Sequence, residues 1–301
     1  MALLELSGVN KRFGDKLVLQ GLDMSVPEGS IYGFVGENGA GKTTTMKMIL
    51  GLETLDSGVI KIGGVPVKYG QSASQHSIGY LPDVPEYYDY MTSTEYLTLC
   101  GKLARIPNID LSERIHSMLQ TVDLPENSRR IHGFSRGMKQ RLGIAQALLA
   151  HPRLLICDEP TSALDPSGRN DFLNLLESLK QTTTIVFSTH ILADVERVCD
   201  HVGILNNGSL QTQGRLSELK LQYAKPRIIL KFRSKQLANQ ASEIVGQGSS
   251  TTDTKISVPY TGDGEAAMKN VLTLVLDAGL IPLAVERQET SLEDIFMEVV
   301  Q

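Results

Sequence analysis

The stretch "GENGAGKTT", from Gly36 to Thr44, has the residue types and spacing to hold a polyphosphate. It fits the pattern G-x-x-x-x-G-K-[ST] and lies between a predicted strand, "SIYGFVG", and a predicted helix, the context such a loop requires. Gly36, Gly39 and Gly41 let backbone amides curl around an anion without Cβ obstruction, and a helix starting near Gly41 aims its positive end at that anion. Lys42 is expected to reach the β- and γ-phosphates, and the Thr43 hydroxyl to ligate Mg²⁺. Glu37, Asn38, Ala40 and Thr44 complete the candidate nucleotide-binding set. A chance glycine-rich turn would share the composition but not the strand and helix on either side.

Three further stretches add to this chemistry. "RLLICDEP" runs four apolar residues into two acids at the carboxyl end of a predicted strand, where ligand sites of α/β sheets lie. Asp158 is expected to hold Mg²⁺ through water, and Glu159, facing differently, to serve as general base toward an attacking water. A solvated acidic pair is the bland alternative; the phosphate loop argues against it. "FSTH" ends another strand, and His190 could hydrogen-bond a γ-phosphate or the water attacking it. In "GFSRGMKQRLGIAQALLA" a helix opens at Ser135 and Gly137, which suits a second anion contact. Two anion-binding helix starts in one chain suggest two different nucleotides, or one nucleotide approached from two subunits.

The elements that must position these residues alternate. "ALLELSGV" and "SIYGFVG" read as strands with "SVPEG" as a turn between them, and "DSGVIKIGGVPV" as turn, strand, turn, strand. Thr92 and Glu95 form a capping box before a helix, and Leu111, Ile115, Met118, Leu119 and Val122 show helical spacing. After His151-Pro152, strand and helix alternate through "RLLICD", "GRNDFLNLLESLK", "TTIVFSTH", "LADVERVC" and "HVGILN", which predicts a parallel sheet with helices on its faces. Asn206–Gly208 reads as a hairpin turn. Composition changes near residue 223, and "RIILKF", "KQLANQASEIV", "ISVPY", "EAAMKNVLTLVLDAG", "LIPLAVERQE" and "SLEDIFMEVV" form a small α/β appendage, with "GQGSSTTDT" as a flexible turn and Ser291/Asp294 as a cap.

Composition bounds the partners. Apolar residues make up 41% of the chain and charged residues 21%, an ordinary globular balance. The formal net charge of −5 argues against nucleic acid as the main partner, since phosphate binding needs a basic face. Three scattered cysteines indicate neither a metal site nor a disulfide framework, so a reducing compartment is expected. The N-terminus has no basic region typical of a signal peptide, and no apolar run approaches the roughly 18 residues needed to span a bilayer. His76, His116, His132, His151 and His201 show no ligand spacing, and the basic "NSRRIHG" reads as a surface face.

Taken in order, these motifs resemble the ATP-binding cassette of ABC transporters over residues 1 to about 222. Gly36–Thr43 stands at Walker A, Leu154–Asp158 with Glu159 at Walker B, "FSRGM" (Phe134, Ser135, Arg136, Gly137, Met138) at the signature, Ser162–Asp165 at the D-loop and His190 at the switch histidine. The resemblance implies a P-loop NTPase, an α/β core with an antiparallel β subdomain and a helical subdomain at about residues 84–150, followed by a C-terminal accessory α/β domain at 223–301. It also implies that Phe13 stacks on adenine. ATP and Mg²⁺ are the implied cofactors. The implied partners are a second cassette, homodimer or otherwise, and an integral membrane permease on a separate chain. In the head-to-tail dimer, Ser135 and Gly137 of one subunit close over the ATP held by Lys42 of the other. The expected place is the cytoplasmic face of the membrane, as a peripheral subunit.

The signature departs from the family's Leu-Ser-Gly-Gly-Gln. With the ending "SLEDIFMEVV", its form is similar to the exporter branch whose ATPase is a separate polypeptide, including drug, antibiotic and sodium extruders. At the Q-loop, where the family has glutamine, this chain has Asp83, read as a carboxylate near Mg²⁺ and the attacking water. Tyr87, Tyr88 and Tyr90 are open to two readings, rings that dock a permease or rings that pack locally. A soluble cassette acting on ribosomes or DNA, and a small-molecule kinase, are the alternatives. The first is disfavoured by the single cassette and acidic charge, the second by the signature, D-loop and His190.

Overall fold

The computed structural model describes residues 2–70, 78–224, 226–246 and 248–300; His76 lies outside them. The chain divides into two compact units, Met1–Leu216 with Val299–Gln301, and Ser217–Glu298.

The first unit opens with two long strands, β1 (Ala2–Phe13) and β2 (Lys16–Pro27), then β3 (Ile31–Gly36) and helix α1 (Lys42–Ile49). Strands β4 (Ser57–Ile62) and β5 (Val65–Pro66) join β1 and β2 in an antiparallel sheet of order β2-β1-β4-β5. After β6 (Ile78–Leu81) come three helices, α2 (Ser93–Leu103), α3 (Asn108–Thr121) and α4 (Arg136–Leu148). Then β7 (Leu154–Asp158), α5 (Pro166–Leu179), β8 (Thr184–Thr189), α6 (Leu192–Val198), β9 (His201–Asn206) and β10 (Ser209–Arg215) complete a sheet of order β10-β9-β3-β8-β7-β6. All its pairings are parallel except β10 with β9, whose hairpin turns at Asn206–Gly208.

This order decides where the chemistry goes. β6, β7, β8 and β3 lie side by side and point the same way, so four loops leave the same edge of the sheet on neighbouring strands about 4.8 Å apart. In sheet order they carry Asp83, the Asp158–Glu159 pair, His190 and the phosphate loop. β3, β7 and β8 are buried throughout, as a parallel sheet covered on both faces requires. Phe34, Met46, Ile156 and Val186 lie in one apolar cluster with Leu4, Leu6 and Leu22 of the antiparallel sheet. Each such side chain, fully buried, stabilises the fold by roughly 1.5–3 kcal/mol, so the loop stands on a rigid base.

The helical region keeps its predicted start. Thr92 Oγ1 accepts from Glu95 N and Glu95 Oε2 accepts from Thr92 N, the reciprocal capping box, and Arg130 pairs with Glu95 at 2.7 Å. α4 packs closely on β6: a Cβ at Gly79 would lie 2.3 Å from the Ala147 carbonyl oxygen, so only glycine fits there.

In the first unit β2 and β6 escape the sequence reading. β2 buries Leu19, Leu22, Met24 and Val26, a spacing that breaks period-two alternation between Leu19 and Leu22. Gly21, at φ 57, sits in that break, where the pairing with β1 shifts register. "SVPEG" is correspondingly strand through Pro27, with the turn at Glu28-Gly29. β6 is too short to show alternation.

The second unit holds α7 (Leu216–Gln222) from its second residue, β11 (Arg227–Lys231), α8 (Lys235–Val245), β12 (Ser250–Thr252), β13 (Lys255–Pro259), α9 (Gly264–Asp277), β14 (Ala284–Gln288) and α10 (Leu292–Val300) to Glu298. Its antiparallel sheet has the order β12-β13-β11-β14. Ile228, Leu230, Ile256 and Val258 bury one face against Ala238, Ala241, Val271 and Val275 of α8 and α9. Part of "GQGSSTTDT" is thus strand β12, with Gln247 outside the described residues. Ser291 caps α10 reciprocally with Asp294, its N–H and Oγ each donating to Oδ2 at 2.9 and 2.7 Å.

Candidate active site

The phosphate loop leaves β3 at Gly36 and turns into α1 at Gly41, whose φ of 113 no ordinary L-residue adopts without strain. No side chain caps α1 and no acid occupies its first turn, so its amino end keeps its positive field. Lys42 is only 5% exposed. Its Nζ donates to the carbonyls of Gly36 at 2.7 Å and Glu37 at 3.2 Å, and lies 3.1 Å from Glu159 Oε1. Glu37, Asn38, Gly39 and Thr43 are exposed, Ala40 and Thr44 half-buried. The Ala40 N–H closes the turn on the Glu37 carbonyl at 3.2 Å. A buried ammonium, small residues and free helical amides fit a phosphate chain.

Asp158 ends β7 at 2% exposure, and its carboxylate accepts from the Ser188 hydroxyl across the pairing with β8. Glu159 follows in the left-handed region, φ 46, a conformation that costs a non-glycine residue about 1 kcal/mol or more. That turn breaks the strand's alternation, and the Glu159 N–H is held by the Ser188 carbonyl at 3.0 Å. The side chain consequently stands between two nitrogen partners, with Oε1 at the Lys42 ammonium and Oε2 2.8 Å from His190 Nδ1. Tyr80 of β6 lies near Asp158 and Asp83. Partial burial, and then the charges of these two carboxylates, push its phenol up to about 12. Asp83 itself is exposed. Its carboxylate accepts from Ser162 Oγ at 2.9 Å and its carbonyl from Gln140 Nε2 at 3.4 Å.

The structure gathers the stretch read as a second anion contact elsewhere. Ser135 caps α4, accepting from Met138 N at 3.2 Å, and Arg136 Nη1 donates to the Ala163 carbonyl at 3.5 Å. Ser135, Arg136, Gly137 and Met138 share a cleft of about 880 Å³ with Ser162 and Asp165, and none of Gly36–Thr44 lines it. Asp165 caps α5 through Gly168 N at 3.2 Å, ahead of Pro166 at the first helical position. Phe13, on β1, is 48% exposed, with the buried Lys11 ammonium 4.7 Å from its ring centroid. The tyrosines divide. Tyr87 packs edge-to-face on Tyr96 at 5.1 Å and donates to the Lys139 carbonyl, which makes it part of the helical region's interior. Tyr88 and Tyr90 are 53% and 67% exposed and lean on each other at 6.0 Å.

Sequence reasoning missed Ser188, Gln140 and the trio of buried Thr161, half-buried Arg169 and buried Asp194, whose partners lie 25 to 57 residues away. The threonine directly after "DEP" was the one local signal.

A phosphate loop between strand and helix, a histidine on the neighbouring strand end and an acidic pair on the next define an ATP-binding cassette. The ABC transporter family profile matches residues 19–162, and the profile of the ATP-binding protein DrrA1-3-like C-terminal domain matches residues 214–300. The uncharacterized ABC transporter ATP-binding protein YxlF of Bacillus subtilis is 36% identical over 304 residues, covering 99% of both chains. The bacitracin transport ATP-binding protein BcrA of Bacillus licheniformis is 35% identical over 308 residues, covering 99% of this chain and 97% of its own. A solved ATP-binding subunit of an ABC transporter superposes with TM-score 0.66 at 33% identity, over 73% of this chain and 93% of its own. The chain belongs to the ABC transporter family, as an ATP-binding and ATP-hydrolysing subunit with a DrrA-like C-terminal domain. Among the described residues no helix is long and apolar enough to cross a membrane.

Proposed function

We propose that this chain hydrolyses ATP between two cassettes to drive export through a separate membrane permease. The observation that carries the reading is the line Lys42–Glu159–His190, with contacts of 3.1 and 2.8 Å at the mouth of the phosphate loop. In it, Lys42 and the amides of Gly36–Thr44 hold the β- and γ-phosphates, and Phe13 stacks on the adenine. Thr43 and Asp158 offer hard oxygen donors that suit Mg²⁺, which when bound offsets phosphate charge. Glu159 takes the proton of the attacking water, and His190 holds that water or the γ-phosphate.

Hydrolysis then needs a second copy. Ser135, Arg136, Gly137 and Met138 lie in a cleft apart from the chain's own phosphate loop, so in a head-to-tail pair they cover the partner's nucleotide, with Ser162 and Asp165 at the same seam. Residues 1–222 are the cassette, with a helical subdomain at about 84–150 that meets the permease, and 223–301 an accessory domain. The exported class is read from relatives named for bacitracin transport and linearmycin resistance. The subunit accordingly works at the cytoplasmic face of the membrane. Purification of the tagged chain from detergent-solubilised membranes should bring down a multi-spanning membrane protein that stimulates its ATPase. Recovery with ribosomes instead would overturn the reading.

A further inference from the structure

Asp194, in the first turn of α6, carries a carboxylate that the reaction described above does not use. It is 2% exposed, and burying a carboxylate this far is tolerable only when both oxygens are engaged. They are: Oδ2 accepts from Thr161 Oγ1 at 2.7 Å, and Oδ1 from Arg169 Nε at 2.5 Å. These partners belong to three segments. Thr161, itself 2% exposed, is two residues beyond Glu159 and next to Ser162. Arg169 lies in α5 just past Asp165, and Asp194 is four residues beyond His190. Nearer the nucleotide loop, two of the three segments are joined again by the His190–Glu159 contact and by the Ser188 bonds to Asp158 and Glu159.

We propose that Asp194 is a positioning residue. It clamps the Glu159–Asp165 turn, the start of α5 and the start of α6 into one body, so that His190 is held against Glu159 and any displacement of His190 reaches Ser162 and Asp165. A strand end held at one point can pivot; held on both sides of Glu159 it cannot. The proposal rests on Glu159 and His190 being the hydrolytic pair.

Thr161→Val is the discriminating change, because valine keeps the shape and removes only the hydroxyl. In this protein kcat should fall roughly ten-fold while the KM for ATP stays within about two-fold, the split expected when only the transition-state arrangement is disturbed. Thr161→Ser should recover most of the rate. In a His190→Ala background, Thr161→Val should lower the residual rate no further, since the clamp acts through His190. Asp194→Asn, a second route to the same break, should show the same split between kcat and KM. Wild-type kcat in Thr161→Val, failure of serine to recover it, or an equal loss in the His190→Ala background would overturn the proposal. Those outcomes stand apart from a failure of the hydrolytic pair, which would appear as retained turnover in Glu159→Gln alone.

Discussion

Ser162 donates its hydroxyl hydrogen to the carboxylate of Asp83 at 2.9 Å, which joins the loop after β6 to the loop after β7. The residue read as standing in place of the family's glutamine therefore bonds to the residue proposed to open the D-loop. Asp83→Ala and Ser162→Ala should each slow coupled hydrolysis, and the double variant should be no slower than the worse single, the signature of one shared interaction. Multiplying effects, or a change in Mg²⁺ dependence in Asp83→Ala that Ser162→Ala lacks, would return Asp83 to the metal.

Glu159→Gln should bind ATP as the wild type does and lose turnover by 10²-fold or more, the range for removing a general base. Calorimetry for binding and phosphate release for turnover separate the two effects.

Lys42→Ala and Ser135→Ala should each abolish hydrolysis alone. Mixed, they should regain activity, because a heterodimer holds one site with an intact lysine facing an intact serine. No rescue at any mixing ratio would rule out a shared site.

Tyr88→Ala with Tyr90→Ala should weaken association with the permease while basal ATPase persists, since both rings are exposed. Tyr87→Phe, which only loses the bond to the Lys139 carbonyl, should cost about 1 kcal/mol of stability instead. Pull-down and thermal melts read the two outcomes.

The phosphate loop was legible because its requirements are local: glycines, a lysine and a hydroxyl within one turn between strand and helix. The places of Asp158, Glu159 and His190 at strand ends could be read because an apolar run leads toward each of them. β2 was hidden because Gly21 shifts its register and spoils the alternation that marks a strand. The Thr161–Asp194 bond spans 33 positions, and no period or motif in the chain announces that pairing. Tyr87 could not be told from Tyr88 and Tyr90 because three tyrosines in one loop look alike until α2 and α4 supply Tyr96 and the Lys139 carbonyl.

The 3.1 Å approach of Lys42 to Glu159 has a consequence for timing. The cation proposed to receive a phosphate is the one that occupies the proposed base. An arriving polyphosphate draws the ammonium toward itself, and the carboxylate loses a counter-charge in the same event. With Glu159 in its proposed role, filling the site and freeing the carboxylate to face water become one event.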